Sequence, residues 1–210
     1  LIALRSHVNA AKAYEQGFYQ DLLVPVDGVT KDSFVRGDTS LEKLSKLKPA
    51  FEENGTITAG NASPLTDGSS VVVMGNLEGA NKLSLKPLAK IIDVQASAVD
   101  FVHGEGLLMA PTMAVAKLLK RQNLKLQDFD YYEIHEAFAG QVACTLKAWE
   151  SDKYCQSKMG LSTNLGSIDL DKMNVVGGSV ALGHPFAATG GRILMSLTKL
   201  LSGSKKRGLI

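Results

Sequence analysis

Three observations predict an α/β fold in which helices cover a β-sheet. Short β-favouring runs alternate along the chain with helix-favouring stretches. Glycine-rich loops connect several of them, and in folds of this class the functional loops gather where strands end and helices begin. An apolar fraction of 45% over 210 residues can fill the core of one globular body or two small ones.

The first quarter of the chain is predicted to hold two helices around an irregular segment. Residues 6–16 are rich in alanine and favour a helix that a glycine ends. Residues 21–39 mix proline and glycine with charges, which indicates irregular structure. Leucines recur at helical spacing over residues 41–47 before Pro49, and they predict a short helix.

The middle of the chain is predicted to form a loop, a strand and a strand–helix unit. Residues 55–68 have loop composition, and the β-branched run 71–73 that follows predicts a buried strand. The apolar residues 91–94 precede a helix that Pro111 opens and that continues through Leu119.

Alternation continues to the end of the chain. We predict a strand within residues 129–134, a helix over 137–149, a short strand at 175–176 and an amphipathic helix over 193–201.

Composition excludes several classes of function. Lys and Arg number 23 against 21 Asp and Glu, and the basic residues are scattered except at 205–207, so no nucleic-acid partner is expected. The longest apolar runs fall short of the roughly 20 residues that span a membrane. Cys144 and Cys155 lack the spacing of a metal site or a disulfide framework, which makes a reducing compartment the default.

Both ends of the chain predict a fragment of a longer protein. Residues 1–6 lack the order of a signal peptide. Residues 206–210 resemble a turn leading into a strand that stops after two apolar positions. We therefore expect a chain that is cut at both ends.

The densest functional signal surrounds His184. Residues 177–191 contain five glycines, which allow close backbone approach and positive φ, and Pro185 stiffens the turn that presents the imidazole. An imidazole can take a proton from a thiol and so raise the reactive thiolate fraction. His184 is therefore the candidate base; the alternative is a glycine-rich connection whose histidine satisfies local backbone groups.

The second signal is His135, where a β-favouring run ends and a helix is predicted to begin. At such a strand end it could donate a hydrogen bond to a carbonyl oxygen that develops negative charge. Phe138, one turn along, could line an acyl pocket. The alternatives are an ordinary strand-end histidine and a core phenylalanine. We interpret Glu136 as a first-turn carboxylate favoured by the helix dipole.

The third signal is the polar loop 55–68, with sequence Gly-Thr-Ile-Thr-Ala-Gly-Asn-Ala-Ser-Pro-Leu-Thr-Asp-Gly. Its hydroxyls and amides suit an elongated polar ligand, although a tight surface loop often has this composition. Ser63 is a candidate only together with the other two signals.

Together and in this order, these stretches resemble the thiolase family. The matching motifs are Gly-Thr-x-Thr-Ala-Gly-Asn-x-Ser with a later Asp-Gly, the Glu-Ala-Phe junction, and Gly-Gly-x-x-x-x-Gly-His-Pro with a later Thr-Gly, and the resemblance covers essentially the whole chain. Most thiolases have Asn where this sequence has His135. The His-Glu-Ala-Phe form is similar to fatty-acid-oxidation thiolases such as the β subunit of trifunctional complexes.

The resemblance implies a thiolase-like α/β fold with a mixed five-stranded sheet covered by helices, of which this chain holds an incomplete C-terminal half. Residues 1–62 would end the loop region over coenzyme A, and residues 63–79 would include the last strand of the N-terminal half. Residues 80–210 would form the C-terminal domain, truncated before its final strand.

The implied activity is an acyltransferase reaction. Coenzyme A cleaves 3-ketoacyl-CoA through an acyl-cysteine to give acetyl-CoA and a shortened acyl-CoA, or the reverse condensation runs. His184 would activate the cysteine and help hold the thioester oxygen, and His135 would take the oxyanion-stabilising role usually given to Asn plus water. The residues implied to bind substrate are Phe138 at the acyl pocket, Gly183, and Ser63 and Arg36 at the pantetheine and nucleotide ends of coenzyme A.

No cofactor is implied beyond coenzyme A as substrate, and no metal. Implied partners are acyl-CoA, further copies of the chain in a homodimer or homotetramer, and a multifunctional α subunit of β-oxidation, in the bacterial cytoplasm or the mitochondrion. Two features depart from the family. Ala187 replaces a more usual Gly, and both family cysteines would lie outside residues 1–210, so we expect the chain alone to be inactive.

Cys144 is not expected to substitute, since it lies within a predicted helix as a packed or inert thiol. Two other functions remain open: a non-catalytic relative that binds acyl-CoA or a partner subunit, and a ketoacyl synthase. The Gly-His-Pro and Thr-Ala-Gly-Asn-x-Ser stretches argue against the latter.

Overall fold

The structure is a computed structural model that describes residues 1–210, and it contains eight α-helices and two short strands. No helix has the length and apolar character needed to cross a membrane. The helices are α1 Ile2–Glu15, α2 Leu41–Ser45, α3 Leu77–Lys82, α4 Ala110–Gln122, α5 Ala139–Glu150, α6 Asp152–Met159, α7 Ser179–Leu182 and α8 Thr189–Leu201. The strands are β1 Tyr131–Tyr132 and β2 Gly208–Leu209.

The main core surrounds β1. This strand pairs in parallel with β2, and Tyr132 also makes a parallel bridge to Met173. Tyr132 is 2% exposed, and its hydroxyl donates to the Leu126 carbonyl at 2.7 Å, so its polar end is satisfied inside the core. The other buried members of this cluster are Leu119, Leu126, Phe129, Val142, Trp149, Ile168, Met173 and Leu209.

A second core joins α1 to the segment that carries α7. Small side chains let the two approach closely, since Ala10 and Ala181 are both fully buried. Gly177 has φ +92°, and a Cβ built there would lie 2.5 Å from the Cβ of Ala10. The alanine-rich sequence of α1 therefore serves this contact as well as helix formation.

All five predicted helices are present with shifted ends. Residues 6–16, 41–47, 111–119, 137–149 and 193–201 correspond to α1, α2, α4, α5 and α8. The prediction missed α3, α6 and α7. Of these, α6 carries readable local signals: Ser151 caps its first turn by accepting from the Tyr154 N–H, and Gly160 ends it in the left-handed conformation.

The strand predictions were less accurate. Residues 71–73 are wrong as a buried strand, because Val71 is 85% exposed and the run forms no regular structure. Residues 91–94 likewise form no strand, and 175–176 form a turn two residues beyond the bridge at Met173. The sheet has two strands where the resemblance implied five. A β-branched run forms a strand only where another strand satisfies its backbone, and these runs have no such neighbour.

Candidate active site

The fold brings His135 and His184 into contact. His135 follows β1 and His184 follows α7, yet their ring centroids lie 4.2 Å apart with the planes inclined by 52°. Both side chains are half-buried. The two histidines that the sequence singled out separately therefore form one site.

Two neighbouring groups hold the His184 ring. Its backbone N–H donates to the Pro64 carbonyl at 3.3 Å, and its Nδ1 lies 2.8 Å from the hydroxyl of Thr189. That hydroxyl donates to the Pro185 carbonyl at 3.2 Å, which leaves a lone pair to accept a hydrogen from Nδ1. This arrangement favours a His184 tautomer whose Nε2 is unprotonated, as a base requires.

Gly183 allows the loop before His184 to meet the polar loop 55–68. Its φ is +87°, and a Cβ built there would lie 2.5 Å from the methyl carbon of Thr66. Any side chain would therefore push the two loops apart. Ala187, further along, also has positive φ, at +65°. The loop thus adopts a left-handed conformation at Ala187, and this conformation is less favourable for an alanine than for a glycine.

A hydrogen bond with Ser179 anchors the His135 ring. Its Nδ1 lies 2.9 Å from the Ser179 hydroxyl, and that oxygen also accepts from Nη2 of Arg192 at 2.7 Å. The other ring nitrogen, Nε2, is buried and has no hydrogen-bond partner. His135 therefore has one nitrogen anchored in the fold and one that remains available.

Burial and positive charge keep both imidazoles neutral. Burial is the largest cause that lowers the pKa of His135 to about 4, with His184 and Arg192 adding to it. Burial, followed by the charge of Arg192, also lowers the pKa of His184. A neutral imidazole can accept a proton or donate its single N–H, and both forms of chemistry are available here at neutral pH.

The polar loop joins the His135 junction by backbone pairing. The Ser63 N–H donates to the Ala137 carbonyl at 3.0 Å, and the Ala139 N–H donates to the Asn61 carbonyl at 2.8 Å. Phe138 lies between these bonds, before α5 begins, and its ring meets Phe51 edge-on at 6.3 Å. The structure therefore places Ser63 and Phe138 at the junction that follows His135, and Phe138 precedes the helix instead of lying one turn along it.

Arg36 lies on the exposed surface. Its guanidinium donates to the Ser33 carbonyl at 2.8 Å, and its backbone N–H donates to His7 Nδ1 at 3.2 Å. None of its hydrogen bonds is with the residues of the histidine site. The structure thus leaves it apart from the other predicted residues.

Two cavities border the imidazoles. An open one of about 460 Å³ lies over His184 and is lined by Leu65, Thr66, Asp67, Gly68, Pro185 and Phe186. A mostly apolar one of about 480 Å³ lies beside His135 and includes Glu133 and Ile134. The His184 ring thus faces open space, and the polar loop forms the far wall of that space.

Sequence reasoning missed the role of Glu136. The interpretation as a first-turn carboxylate is wrong, because α5 begins three residues later and Glu136 is 1% exposed. Its carboxylate accepts from the Ser6 hydroxyl at 2.7 Å, the Asn174 amide at 2.6 Å and the Val180 N–H at 3.2 Å. Burial raises the pKa of Glu136, and these three bonds oppose the rise. Glu136 thereby ties α1 and α7 to the strand end that carries His135.

Neither cysteine hydrogen-bonds to the histidine pair. Cys144 lies in α5, as predicted, but its side chain is exposed instead of packed. Cys155 is fully buried in α6, and its thiol donates to the Ala148 carbonyl at 3.4 Å.

Comparison with known protein families gives two matches that together cover most of the chain. Residues 1–78 match the family described as thiolase, N-terminal domain, and residues 85–210 match thiolase, C-terminal domain.

Individual proteins agree with these family matches. The chain is 42% identical to a 3-ketoacyl-CoA thiolase of Serratia proteamaculans, over 99% of this chain and 48% of that protein. It is 39% identical to a 3-ketoacyl-CoA thiolase of Yersinia enterocolitica, with the same coverage. The chain spans about half the length of the curated relatives it matches.

Solved structures resemble the fold. The acetyl-CoA acetyltransferase of Bacillus anthracis superposes with a TM-score of 0.76 at 38% identity, covering 95% of this chain and 48% of that one. The human mitochondrial 3-ketoacyl-CoA thiolase in complex with CoA gives a TM-score of 0.73 at 30% identity, covering 95% and 46%. The dimeric peroxisomal thiolase of Saccharomyces cerevisiae gives 0.74 at 33%, covering 95% and 47%.

Proposed function

The chain belongs to the thiolase family, and on that premise we propose that it supplies the two-histidine side of an acyltransferase active site. The whole enzyme cleaves 3-ketoacyl-CoA with coenzyme A to acetyl-CoA and a shortened acyl-CoA, or runs the reverse condensation. The observation that carries this proposal is the pair of neutral imidazoles 4.2 Å apart, since one can act as base and the other as hydrogen-bond donor.

Family membership confirms the resemblance and the α/β, thiolase-like fold class predicted from the sequence. It also favours a thiolase over a ketoacyl synthase, because the relatives at 39–42% identity are named 3-ketoacyl-CoA thiolases.

In the proposed reaction, His184 Nε2 takes the proton of a cysteine thiol. The thiolate attacks the 3-keto carbon, and the bond between C2 and C3 of the substrate then breaks. Negative charge develops on the thioester oxygen of the departing acetyl-CoA, and His135 donates its Nε2–H to that oxygen. The enolate takes a proton at C2 from the second family cysteine, also proposed to lie outside these residues, and leaves as acetyl-CoA. The thiol of a free coenzyme A then returns a proton to that second cysteine and attacks the acyl-cysteine, which releases the shortened acyl-CoA and the first cysteine thiolate.

The acyl-accepting thiol is proposed to lie outside these 210 residues. Cys144 and Cys155 have no hydrogen bond to either imidazole, and a base cannot replace the thiolate that carries the acyl group. The chain alone is therefore proposed to be inactive. The rival hypothesis is a non-catalytic relative that binds acyl-CoA or a partner subunit, which a whole protein lacking either family cysteine would favour.

The substrate contacts follow the geometry of the site. We propose that Phe138 and Gly183 contact the acyl end, with Ser63 at the pantetheine arm. Phe138 and Ser63 lie at the junction after His135, and Gly183 directly precedes His184. Arg36 remains a proposed contact for the nucleotide end, which the exposed position of its guanidinium permits.

We propose the division of the chain that the resemblance implies, at residues 1–62, 63–79 and 80–210. The enzyme is proposed to assemble as a homodimer or homotetramer, with a multifunctional α subunit as a further partner, in the bacterial cytoplasm or the mitochondrion.

The test is thiolysis by the whole enzyme with acetoacetyl-CoA and a longer 3-ketoacyl-CoA. His184→Ala should lower kcat at least about 100-fold, as expected for loss of a general base. His135→Ala should lower it by about 100- to 1,000-fold, as expected for loss of an oxyanion donor. The control is His103→Ala, an exposed histidine paired only with Asp100, which should leave the rate unchanged. Full activity of His184→Ala, or coenzyme A binding without any thiolysis by the wild type, would refute the proposal.

A further inference from the structure

Hydrogen bonds link three polar side chains in series, and the last of the three is His135 of the histidine pair. Arg192 of α8 donates from Nη2 to the hydroxyl oxygen of Ser179, the first residue of α7, at 2.7 Å. The same oxygen lies 2.9 Å from His135 Nδ1. Ser179 is fully buried, and its hydroxyl has no hydrogen-bond partner besides these two.

The direction of the first bond is determined by chemistry. A guanidinium has five N–H donors and no acceptor, so the Ser179 oxygen must accept from Arg192. The hydroxyl then has one hydrogen left to donate. His135 Nδ1 is the only group in reach that can accept it.

The two neutral tautomers of His135 can be compared by counting unpaired groups. If Nδ1 is unprotonated, it accepts from Ser179, and only the Nε2–H lacks a partner within the fold. If Nδ1 carries the hydrogen, both Nδ1 and Arg192 donate to one oxygen, the Ser179 hydrogen is buried without an acceptor, and Nε2 is also unpaired. Unpaired buried polar groups are costly, so the first tautomer is favoured.

We propose that Arg192 and Ser179 are positioning residues that hold His135 as the Nε2–H tautomer, with that N–H presented to the site as a donor. The tautomer follows from the geometry of this chain. Its catalytic meaning, stabilisation of the thioester oxygen, rests on the proposed function.

His184 is held as the opposite tautomer, with the hydrogen on Nδ1. Thr189 donates to a carbonyl and accepts from His184 Nδ1, which leaves Nε2 as an acceptor. Ser179 instead donates to His135 Nδ1. Two buried hydroxyls thus assign a base to one ring and a donor to the other, and without that difference the paired imidazoles would be chemically alike.

The surroundings of Arg192 support a role beyond packing. Its Nε and Nη1 atoms are buried without hydrogen bonds. The titratable groups whose pKa its charge affects are Tyr19, Glu133, Glu136 and the two histidines. Its positive charge lowers the pKa of both histidines, which keeps His135 neutral and therefore able to exist as a single tautomer.

The test is direct observation of the ring nitrogens in histidine-¹⁵N-labelled protein. Two-bond ¹H–¹⁵N correlation spectra at pH 7 distinguish Nδ1–H from Nε2–H. The wild type should show His135 as Nε2–H. Ser179→Ala should lower the ratio of Nε2–H to Nδ1–H about fivefold or more, because the hydrogen bond that selects it is gone.

Two further variants distinguish a specific change of tautomer from a general disturbance of the fold. Arg192→Met leaves the Ser179 oxygen free to accept from His135 Nδ1. It should therefore also lower the ratio of Nε2–H to Nδ1–H in His135. Ser196→Ala is the matched control: it removes another buried hydroxyl one turn further along α8 that has no hydrogen bond, and it should leave the His135 spectrum unchanged.

Kinetics of the whole enzyme supply a second readout. Ser179→Ala should lower kcat about 10- to 100-fold with KM within about twofold, because the donor acts only as negative charge develops. Ser196→Ala should change neither constant.

Three outcomes would overturn the proposal: a wild-type His135 protonated on Nδ1, an unchanged tautomer in both Ser179→Ala and Arg192→Met, or an equal change in Ser196→Ala. The proposed function fails separately. If His135 shows the expected tautomer and the wild-type enzyme binds coenzyme A without any thiolysis, the positioning stands and the acyltransferase assignment does not.

Discussion

At the scale of single residues, burial decides the charge of the groups around the site. Glu133 and His135 lie two residues apart after β1, and both are neutral at pH 7 for the same reason, the cost of burying a charge. Burial raises the pKa of Glu133 to about 8 and lowers that of His135 to about 4. Each shift makes stability depend on pH, with opposite sign.

Glu133→Gln should stabilise the chain at alkaline pH. The unfolded carboxyl loses its proton above its ordinary pKa of 4.5, whereas the folded one keeps it up to about 8, so the wild-type free energy of unfolding falls between these values. The glutamine has no proton to lose. In urea unfolding at pH 8 the variant should be more stable by about 2–4 kcal/mol, since one pKa unit corresponds to about 1.4 kcal/mol.

The control for this change is Glu53→Gln at an exposed position, which should shift stability by no more than about 0.5 kcal/mol. Equal pH dependence of the Glu133→Gln variant and the wild type would show that the carboxyl is ionised in the folded state.

His135 should titrate near pH 4 when its ring signals are followed by NMR. The unfolded imidazole binds a proton below its ordinary pKa of 6.5 and the folded one does not until about 4, so His135 makes stability fall as pH falls through that window. Arg192→Met should raise the midpoint, because it removes a positive charge that opposes the imidazolium. A wild-type midpoint near 6.5 would contradict the burial of this ring.

Ala187→Gly should stabilise the His184 loop. At φ +65° an alanine is strained by about 1–2 kcal/mol, and a glycine is not, although glycine also gains freedom in the unfolded chain. We expect a net gain of about 0.5–1 kcal/mol in chemical unfolding. The neighbouring Ala188 has an ordinary φ of −97°, so Ala188→Gly should destabilise instead. Loss of stability in Ala187→Gly would show that the loop is not strained there.

At the scale of elements, α1 packs against the segment that carries α7, and this contact supports the residues that carry the two histidines. Ser6 of α1 donates to Glu136 and accepts from the Gly178 N–H at 3.0 Å, so one hydroxyl joins the strand end to the turn before His184. Local signals predicted α1 itself. They carried no information about this contact, because the two segments lie far apart in the sequence.

Gly177→Ala should be severely destabilising. Its φ of +92° disfavours any side chain, and the new Cβ would meet backbone and side-chain atoms of Ala10 at 2.5–2.9 Å, none of which can rotate away. A loss of at least about 3 kcal/mol is expected in urea unfolding. The matched control, Gly140→Ala in α5, has nothing within 4 Å and should instead gain about 0.5–1 kcal/mol. Similar effects of the two substitutions would contradict the close approach of α1.

At the scale of the whole molecule, regular structure and burial are unevenly distributed. Residues 64–109 contain only α3 as a defined element, and they carry large exposed apolar side chains such as Val71, Val94 and Phe101. Residues 110–210 hold five of the eight helices and both strands. Exposed apolar side chains in this number on an irregular segment are typical of a region that other protein surface covers.

Limited trypsin digestion should therefore cut first after Lys90. This residue is exposed and lies outside helices, whereas Lys120 is equally exposed but lies within α4 and is protected by helical hydrogen bonds. Mass spectrometry of early products would identify the sites. First cleavage after Lys120 would show that α4 opens more readily than the segment before it.

Prediction from sequence succeeded where the signal is local. Residue types and spacing singled out His184 and His135, and the fold brings their rings to 4.2 Å from each other. Ser179 and Arg192 fall within or beside the same glycine-rich stretch, yet nothing in their spacing indicates that one donates to the other. Strand assignment failed at 71–73 because a strand needs a partner, and partners are supplied by tertiary structure.

The sequence alone determined the family, the α/β class, the approximate positions of five helices and the chemistry of the candidate side chains, because these depend on residue type and short-range order. Tertiary structure alone decided the 4.2 Å approach of the two imidazoles, the burial of Glu133 and Glu136, and which ring nitrogen of each histidine is anchored. Desolvation and hydrogen-bond direction depend on atoms from α1, α7 and α8 meeting in space, and no local pattern encodes that meeting.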